Sequence, residues 1–154
     1  MDPVEVTAYA LHSLFAGLWA GSVLFVTLSV VPLARTGDLN ARPVNAIAGR
    51  LKTVSRASSL VLFLTGSHMA AARHTGDSLT GTTGGHLVLG MVGLWLLLTG
   101  TVEVAAKRLT DGTERDKVRE PARAARPLFL AASVLATALL VVAGLIGALN
   151  AGFL

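Results

Sequence analysis

Four apolar segments alternate with charged connectors along this 154-residue chain. The segments cover approximately residues 4–33, 56–73, 86–107 and 127–150. About 20 apolar residues let a helix cross a bilayer, and a helix satisfies its own backbone hydrogen bonds within lipid. The pattern therefore predicts an all-α fold, in which residues 1–154 form a single domain: an integral membrane bundle of four transmembrane helices.

The first connector has a helical pattern of its own. Asn40 can cap a helix that has Pro43 in its first turn. Ile47, Leu51 and Val54 then follow at helical spacing. Because cations stand between these apolar positions, we expect an amphipathic helix that lies among the cytoplasmic lipid headgroups.

The charge distribution orients the helices. Every lysine and arginine except Arg73 lies in the first or the third connector or at its border. The positive-inside rule places those connectors in the cytoplasm and both termini outside, as expected of a multi-pass plasma-membrane protein.

The net charge of +4 could suggest nucleic acid as a partner. Membrane topology already explains the cations, so we expect the lipid bilayer and no nucleic acid.

Three histidines belong to different apolar segments but to the same predicted membrane face. At 1.5 Å per residue, His12 lies about 10 Å below the start of its helix and His68 about 6 Å below the end of its own. His86 stands at the entrance to the third helix, and His74 is expected to be a solvated loop residue. The chain has no cysteine, and imidazole is the commonest metal ligand. We therefore predict a shared site with His12 and His68 as the inner pair and His86 at the rim.

The residues leave the occupant of this site open between a copper ion and haem b. A copper site would use the three histidines as metal ligands. In a haem site, His12 and His68 would be the axial ligands, and Gly17, Gly90 and Gly93 would leave room for the flat macrocycle. Such a protein could serve electron transfer or tetrapyrrole oxidation, so enzymatic activity is left undecided. A third hypothesis is a structural or accessory subunit without a cofactor.

Two further patterns concern helix packing. Ser13, Gly17 and Gly21 recur every four residues, and such small-residue stripes permit a homo-oligomer. Glu103 and Lys107 are spaced for an ion pair along the third helix.

Several short motifs resemble those of CopD-like membrane proteins, the copper resistance D family. The run from His12 to Phe25, closing at Val31-Pro32, is similar to the family's first helix: a His, a Trp-x-Gly step and an apolar run to a Pro. The stretch from Arg50 to Gly66 resembles the family's second unit. The Gly84-Gly85-His86-Leu87 start of the third helix is similar too.

The resemblance implies a role in copper import or tolerance, with His12, His68 and His86 as the matched histidines. A weaker similarity, to the small four-helix HemJ-like proteins, implies instead that histidines hold haem b. The chain departs from the copper-resistance pattern because it has only 3 methionines and no lysine near the start of the third helix. These departures keep the haem hypothesis open.

Overall fold

The computed structural model describes residues 2–153, and this part of the chain contains helices and no strands. The elements are α1 (Pro3–Phe25), a π-helical turn (Val26–Val30), α2 (Val31–Thr36), α3 (Ala41–Arg73), α4 (Gly76–Gly81), α5 (Thr83–Thr113) and α6 (Arg119–Asn150). The all-α prediction is confirmed. Each long helix extends beyond its predicted bounds.

The first rod, Pro3–Thr36, continues past Pro32, which lies near the end of the first predicted segment. Pro32 has no backbone N–H, so the carbonyl of Leu28 cannot receive the usual helical bond. The π-helical turn just before it changes the register, and the N–H of Val31 bonds the carbonyl of Val26. The rod ends instead at Gly37, whose φ of 87° is left-handed.

The first connector is not a separate helix. Its residues form the first turns of α3, which continues without a break to Arg73. Val44, Ala48, Leu51 and Ser55 repeat at helical spacing and are all buried in the bundle. This buried stripe runs on into the apolar segment, so the expected boundary near residue 56 does not exist. The cations of the segment project from its exposed side.

The last helix also begins earlier than predicted. Pro127 is the first residue of the last predicted segment, but α6 starts at Arg119 and contains Pro127 in its interior. The missing N–H of Pro127 leaves the carbonyl of Arg123 without its helical partner. Arg123 and Pro127 are both exposed, so the helix tolerates the loss on that side.

The four long helices form an antiparallel ring in the order α1, α3, α5, α6. The Trp19 indole N–H donates to the Ser55 hydroxyl at 2.9 Å, which fixes α1 against α3. The Thr113 hydroxyl lies 3.0 Å from the Asn45 side-chain oxygen, which joins α5 to α3. The Thr27 hydroxyl oxygen lies 3.1 Å from the carbonyl oxygen of Phe129, which closes the ring between the first rod and α6. Helices α1 and α5 therefore lie diagonally across the bundle.

The two ends of the ring differ in composition and packing. We call the end with connectors 37–40 and 114–118 the basic end, and the end with both termini and segment 74–82 the terminal end. The largest fully buried side chains all lie from the middle of the helices towards the basic end: Trp19, Val23, Val31, Val44, Ser58, Leu98, Val102, Leu109 and Phe129. The tightest packing is therefore remote from the terminal end.

Within residues 2–153, three helices are long and apolar enough to cross a membrane: Pro3–Thr36, Thr83–Thr113 and Arg119–Asn150. Helix α3 is equally long, but its first half carries Arg42, Arg50 and Lys52 among apolar residues.

The small-residue stripe of α1 is exposed, with nothing within 4 Å of a Cβ built on Gly17 or Gly21.

Candidate functional site

Residues of α1 and α3 meet near the terminal end, where the histidines were predicted. The carboxylate of Glu5 lies 3.9 Å from the Arg73 guanidinium, so the start of α1 faces the end of α3. His12 follows Glu5 by two helical turns on the same face of α1. His68 lies on α3, between the level of this ion pair and the level of His12. Two of the three predicted histidines therefore share one helix–helix interface.

His12 is held against α3 by a threonine and a glycine. Its Nδ1 lies 2.8 Å from the Thr65 hydroxyl oxygen. A Cβ added to Gly66 would lie 3.1 Å from Cε1 of His12, so the glycine lets the ring pack directly on the helix backbone. The imidazole is thus fixed at both its nitrogen and its carbon edge, while the residue remains half-buried.

The bonds around Thr65 identify which nitrogen of His12 carries the proton. The Thr65 hydroxyl lies 2.7 Å from the carbonyl of Val61, which can only accept. A threonine has one O–H donor, so its oxygen accepts from the His12 Nδ1–H. In the neutral ring, Nε2 therefore holds the free lone pair. Histidines that bind metals usually have this arrangement, in which the second nitrogen donates to a neighbouring oxygen.

A groove between α1 and α3 is lined by the second histidine, His68. The groove has a volume of about 440 Å³ and lies between the first turns of α1 and the last turns of α3. Its lining residues are Pro3, Val4, Thr7, Ala8, Leu11, Leu64, Thr65 and His68. Thr65 and His68 are three residues apart and share one face of α3. His68 is thus about one helical turn, near 5 Å, from the threonine that holds His12.

The third predicted ligand is engaged elsewhere. His86 lies at the start of α5, and its Nε2–H donates to the carbonyl of Thr80 at 2.8 Å. Among residues 2–153, no three His, Asp or Glu side chains lie close enough to hold a metal ion together. The structure therefore does not form the predicted centre of His12, His68 and His86. The physical reason is that α5 lies diagonally opposite α1 in the ring.

Helix α4 accounts for the position of His86. The Thr75 side chain accepts from the N–H of Ser78 while the Ser78 hydroxyl bonds back to Thr75, forming a capping box. The carbonyl of Thr80 is thereby fixed in the short helix that contacts His86. His74, expected to be a solvated loop residue, is half-buried beside Gly84, where a Cβ would lie 3.8 Å from its ring.

The glycines proposed to make room for a macrocycle do not line an internal space. Gly17, Gly90 and Gly93 are exposed, and nothing lies within 4 Å of a Cβ built on any of them. Because the His12 ring rests on the backbone at Gly66, no slot for a flat macrocycle separates α1 from α3. The residues present therefore do not fit a haem held axially by His12 and His68.

Sequence reasoning missed Thr65 and Gly66 as parts of the site. Both belong to the second apolar segment, yet only contact with the preceding helix gives them a role. A usable signal existed: Thr65 precedes His68 by three residues and so shares its face.

The ion pair predicted between Glu103 and Lys107 has a different partner. Glu103 bonds Arg56 on α3 through both carboxylate oxygens, although Lys107 remains close enough to attract it.

Comparison of the chain with family models, curated proteins and solved structures finds no match. The resemblance to CopD-like and HemJ-like proteins therefore stays a prediction based on short motifs.

Proposed function

We propose that the protein is a four-span membrane protein that captures copper at its outer face, with His12 and His68 as the protein ligands. The observation that carries the proposal is the bond from His12 Nδ1 to Thr65, 2.8 Å long. It leaves the free lone pair on Nε2, and His68 lies one helical turn beyond Thr65 on α3. Imidazole suits copper, and open positions remain for ligands that the metal brings with it.

In the proposed topology, the terminal end faces outward and the basic end faces the cytoplasm of a cell whose plasma membrane holds the bundle. Arg56 and Arg73 are about 26 Å apart along α3, and His86 and Glu103 are equally far apart along α5. Both intervals are close to the roughly 30 Å thickness of the hydrocarbon. This agreement supports α3 as the fourth span, with its first turns standing upright beyond the inner boundary. The exposed stripe on α1 would permit a homo-oligomer.

The His12–His68 pair is small and open, which favours binding and transfer over permanent storage. The groove is open to the surroundings at the outer leaflet level, so an ion can enter without crossing the bundle core. The bond to Thr65 keeps the proton of His12 on Nδ1, so the free lone pair stays on Nε2. Gly66 lets the ring rest on the backbone of α3. Copper is therefore proposed as cargo that passes through this pair.

Copper titration of the purified full chain tests the proposal, with histidine variants as matched probes. Cu(I) under reducing conditions and Cu(II) would be titrated separately against a competing chelator. We expect His12→Gln and His68→Gln to weaken binding by more than about 100-fold, because even second-shell losses cost 10–100-fold. His86→Gln is the matched control, because its Nε2 is already bonded to Thr80, and it should leave the affinity unchanged.

Three outcomes would overturn this assignment. An equal loss in His86→Gln would mean that binding is non-specific, and no loss in His12→Gln would exclude the pair as ligands. A Soret band that disappears in His12→Gln would favour haem over copper. Reporter fusions at the C-terminus test the topology independently, and a cytoplasmic C-terminus would contradict it.

A further inference from the structure

The seam between α3 and α5 has one charged and one apolar part. We define the α3–α5 seam by four residues of each helix that share a face at helical spacing. On α3 they are Lys52, Arg56, Leu60 and Phe63, and on α5 they are Leu96, Gly100, Glu103 and Lys107. The charged residues all lie towards the basic end, and the apolar ones towards the terminal end.

The charged part contains more positive than negative charge. Arg56 and Glu103 form a bidentate ion pair across the seam, and Nε of Arg56 lies 3.2 Å from Oε2 of Glu103. The side chains remain accessible, with 67% of Arg56 and 38% of Glu103 exposed. Lys52 and Lys107 flank the carboxylate closely enough to attract it. One carboxylate therefore stands among three cations, and the two lysines have charge left to bind an anion.

The apolar part is a shallow, uncovered channel. Leu60 and Leu96 are 60% and 59% exposed on its two sides. Between them Gly100 has nothing within 4 Å of a Cβ built on it, so the floor is open. Phe63 stacks on Trp95 at 5.7 Å between ring centroids and closes the channel towards the terminal end. An alkyl chain would find apolar contact here without displacing a protein side chain.

The position of the seam matches the anatomy of a phospholipid. Its charged part lies where the hydrocarbon ends on the cytoplasmic side in the proposed four-span topology, and its apolar part lies within the hydrocarbon. Cytoplasmic basic sites between transmembrane helices are suited to anionic lipid headgroups. A soluble anion would use the lysines alone and leave the channel exposed.

We propose that the α3–α5 seam binds an anionic phospholipid of the inner leaflet, with Lys52 and Lys107 on the headgroup phosphate and an acyl chain on Leu60 and Leu96. Arg56 stays bonded to Glu103, so the two lysines provide the charge that binds the headgroup. The inference rests on the spanning position of α3 in the proposed function, and it is independent of the metal pair at the opposite end.

Lipid retention by the purified full chain, followed by native mass spectrometry, tests the seam. The probes are phosphatidylglycerol and phosphatidylcholine with identical acyl chains. We expect the protein to prefer phosphatidylglycerol, and Lys52→Gln with Lys107→Gln to weaken that affinity roughly 25-fold, or about fivefold for each lysine. The matched control is Arg42→Gln with Arg115→Gln, which removes the same charge from exposed positions nearer the tip of the basic end. It should change the affinity less than about twofold.

A further variant separates binding from helix pairing. Glu103→Gln removes the only carboxylate of the seam and should leave phosphatidylglycerol binding equal or tighter, because it removes a repulsion. Equal loss in the two double variants, no preference between the lipids, or release of the lipid by millimolar inorganic phosphate would each overturn the proposal. His12→Gln should not change lipid retention, so a failed copper assay leaves this result interpretable.

Discussion

Two leucines of α3 provide a matched test of how the first turns of this helix are packed. Leu51 is 3% exposed and faces the bundle, whereas Leu60 is 60% exposed and faces outward. Leu51→Ala removes three carbon atoms, whose transfer free energy is about 2.4 kcal/mol. The cavity left behind adds to this, so we expect a total destabilisation of about 3–4 kcal/mol.

Leu60→Ala should cost far less. Lipid tails are as apolar as leucine, so a side chain that faces lipid has little driving force for burial. Alanine also has the higher helix propensity. We expect the free energy of unfolding to change by less than about 0.5 kcal/mol, which leaves a difference of at least about 2 kcal/mol between the variants.

Reversible unfolding in mixed micelles, followed by far-UV circular dichroism, measures both values. A helix that lay among the headgroups would expose Leu51 to lipid, and its truncation would then resemble that of Leu60. Equal effects of the two substitutions, or a Leu51→Ala protein as stable as the wild type, would refute the upright position of the first turns of α3.

Three other predictions follow from individual contacts. Gly37→Ala should destabilise the fold by about 1–2 kcal/mol, because Gly37 has a φ of 87°. Gly49→Ala in the open face of α3 should instead stabilise the fold by up to about 1 kcal/mol. Thermal unfolding midpoints that shift in the same direction for both variants would contradict this. Ser55→Ala should cost about 1–2 kcal/mol, because it leaves the buried indole N–H of Trp19 without a partner; an unchanged unfolding curve would count against that bond. Thr65→Val should weaken copper binding about 10–100-fold while Thr65→Ser preserves it, and similar affinities for the two variants would remove the orienting role of the hydroxyl.

The positions of the apolar segments could be predicted from the sequence, but the ends of the helices could not. Hydropathy falls where cations begin, so the predicted bounds stop at charged residues. The helices continue because the buried faces keep their period with small and aliphatic residues, as at Val44, Ala48 and Leu51. Cations such as Arg50 occupy the exposed positions and do not interrupt this stripe. Hydropathy averaged over a window of consecutive residues cannot separate the two faces of one helix.

The candidate site was half predictable for a related reason. Charge distribution along the chain gives the depth of a residue within the bundle, and it placed His12, His68 and His86 at the terminal end. It gives no information about which helices are neighbours or which way a face turns. His86 shares the depth of the other two but lies on the diagonal helix, where the carbonyl of Thr80 takes its nitrogen. The pairing of His12 with Thr65 likewise required the packing of α1 on α3.

Under the proposed topology, the length of the bundle separates stability from binding. Helix α3 has 33 residues and is about 50 Å long. A hydrocarbon layer of about 30 Å covers only about 32 Å of a helix tilted by 20°. About 18 Å must therefore stand beyond it, and the fully buried side chain of Val44 lies in that part. Val31 and Leu109 are fully buried at the same end of the bundle. Part of the apolar packing that holds the helices together thus lies beyond the hydrocarbon at the basic end, where water can drive it. The outer half is left free to keep an open groove beside two histidines.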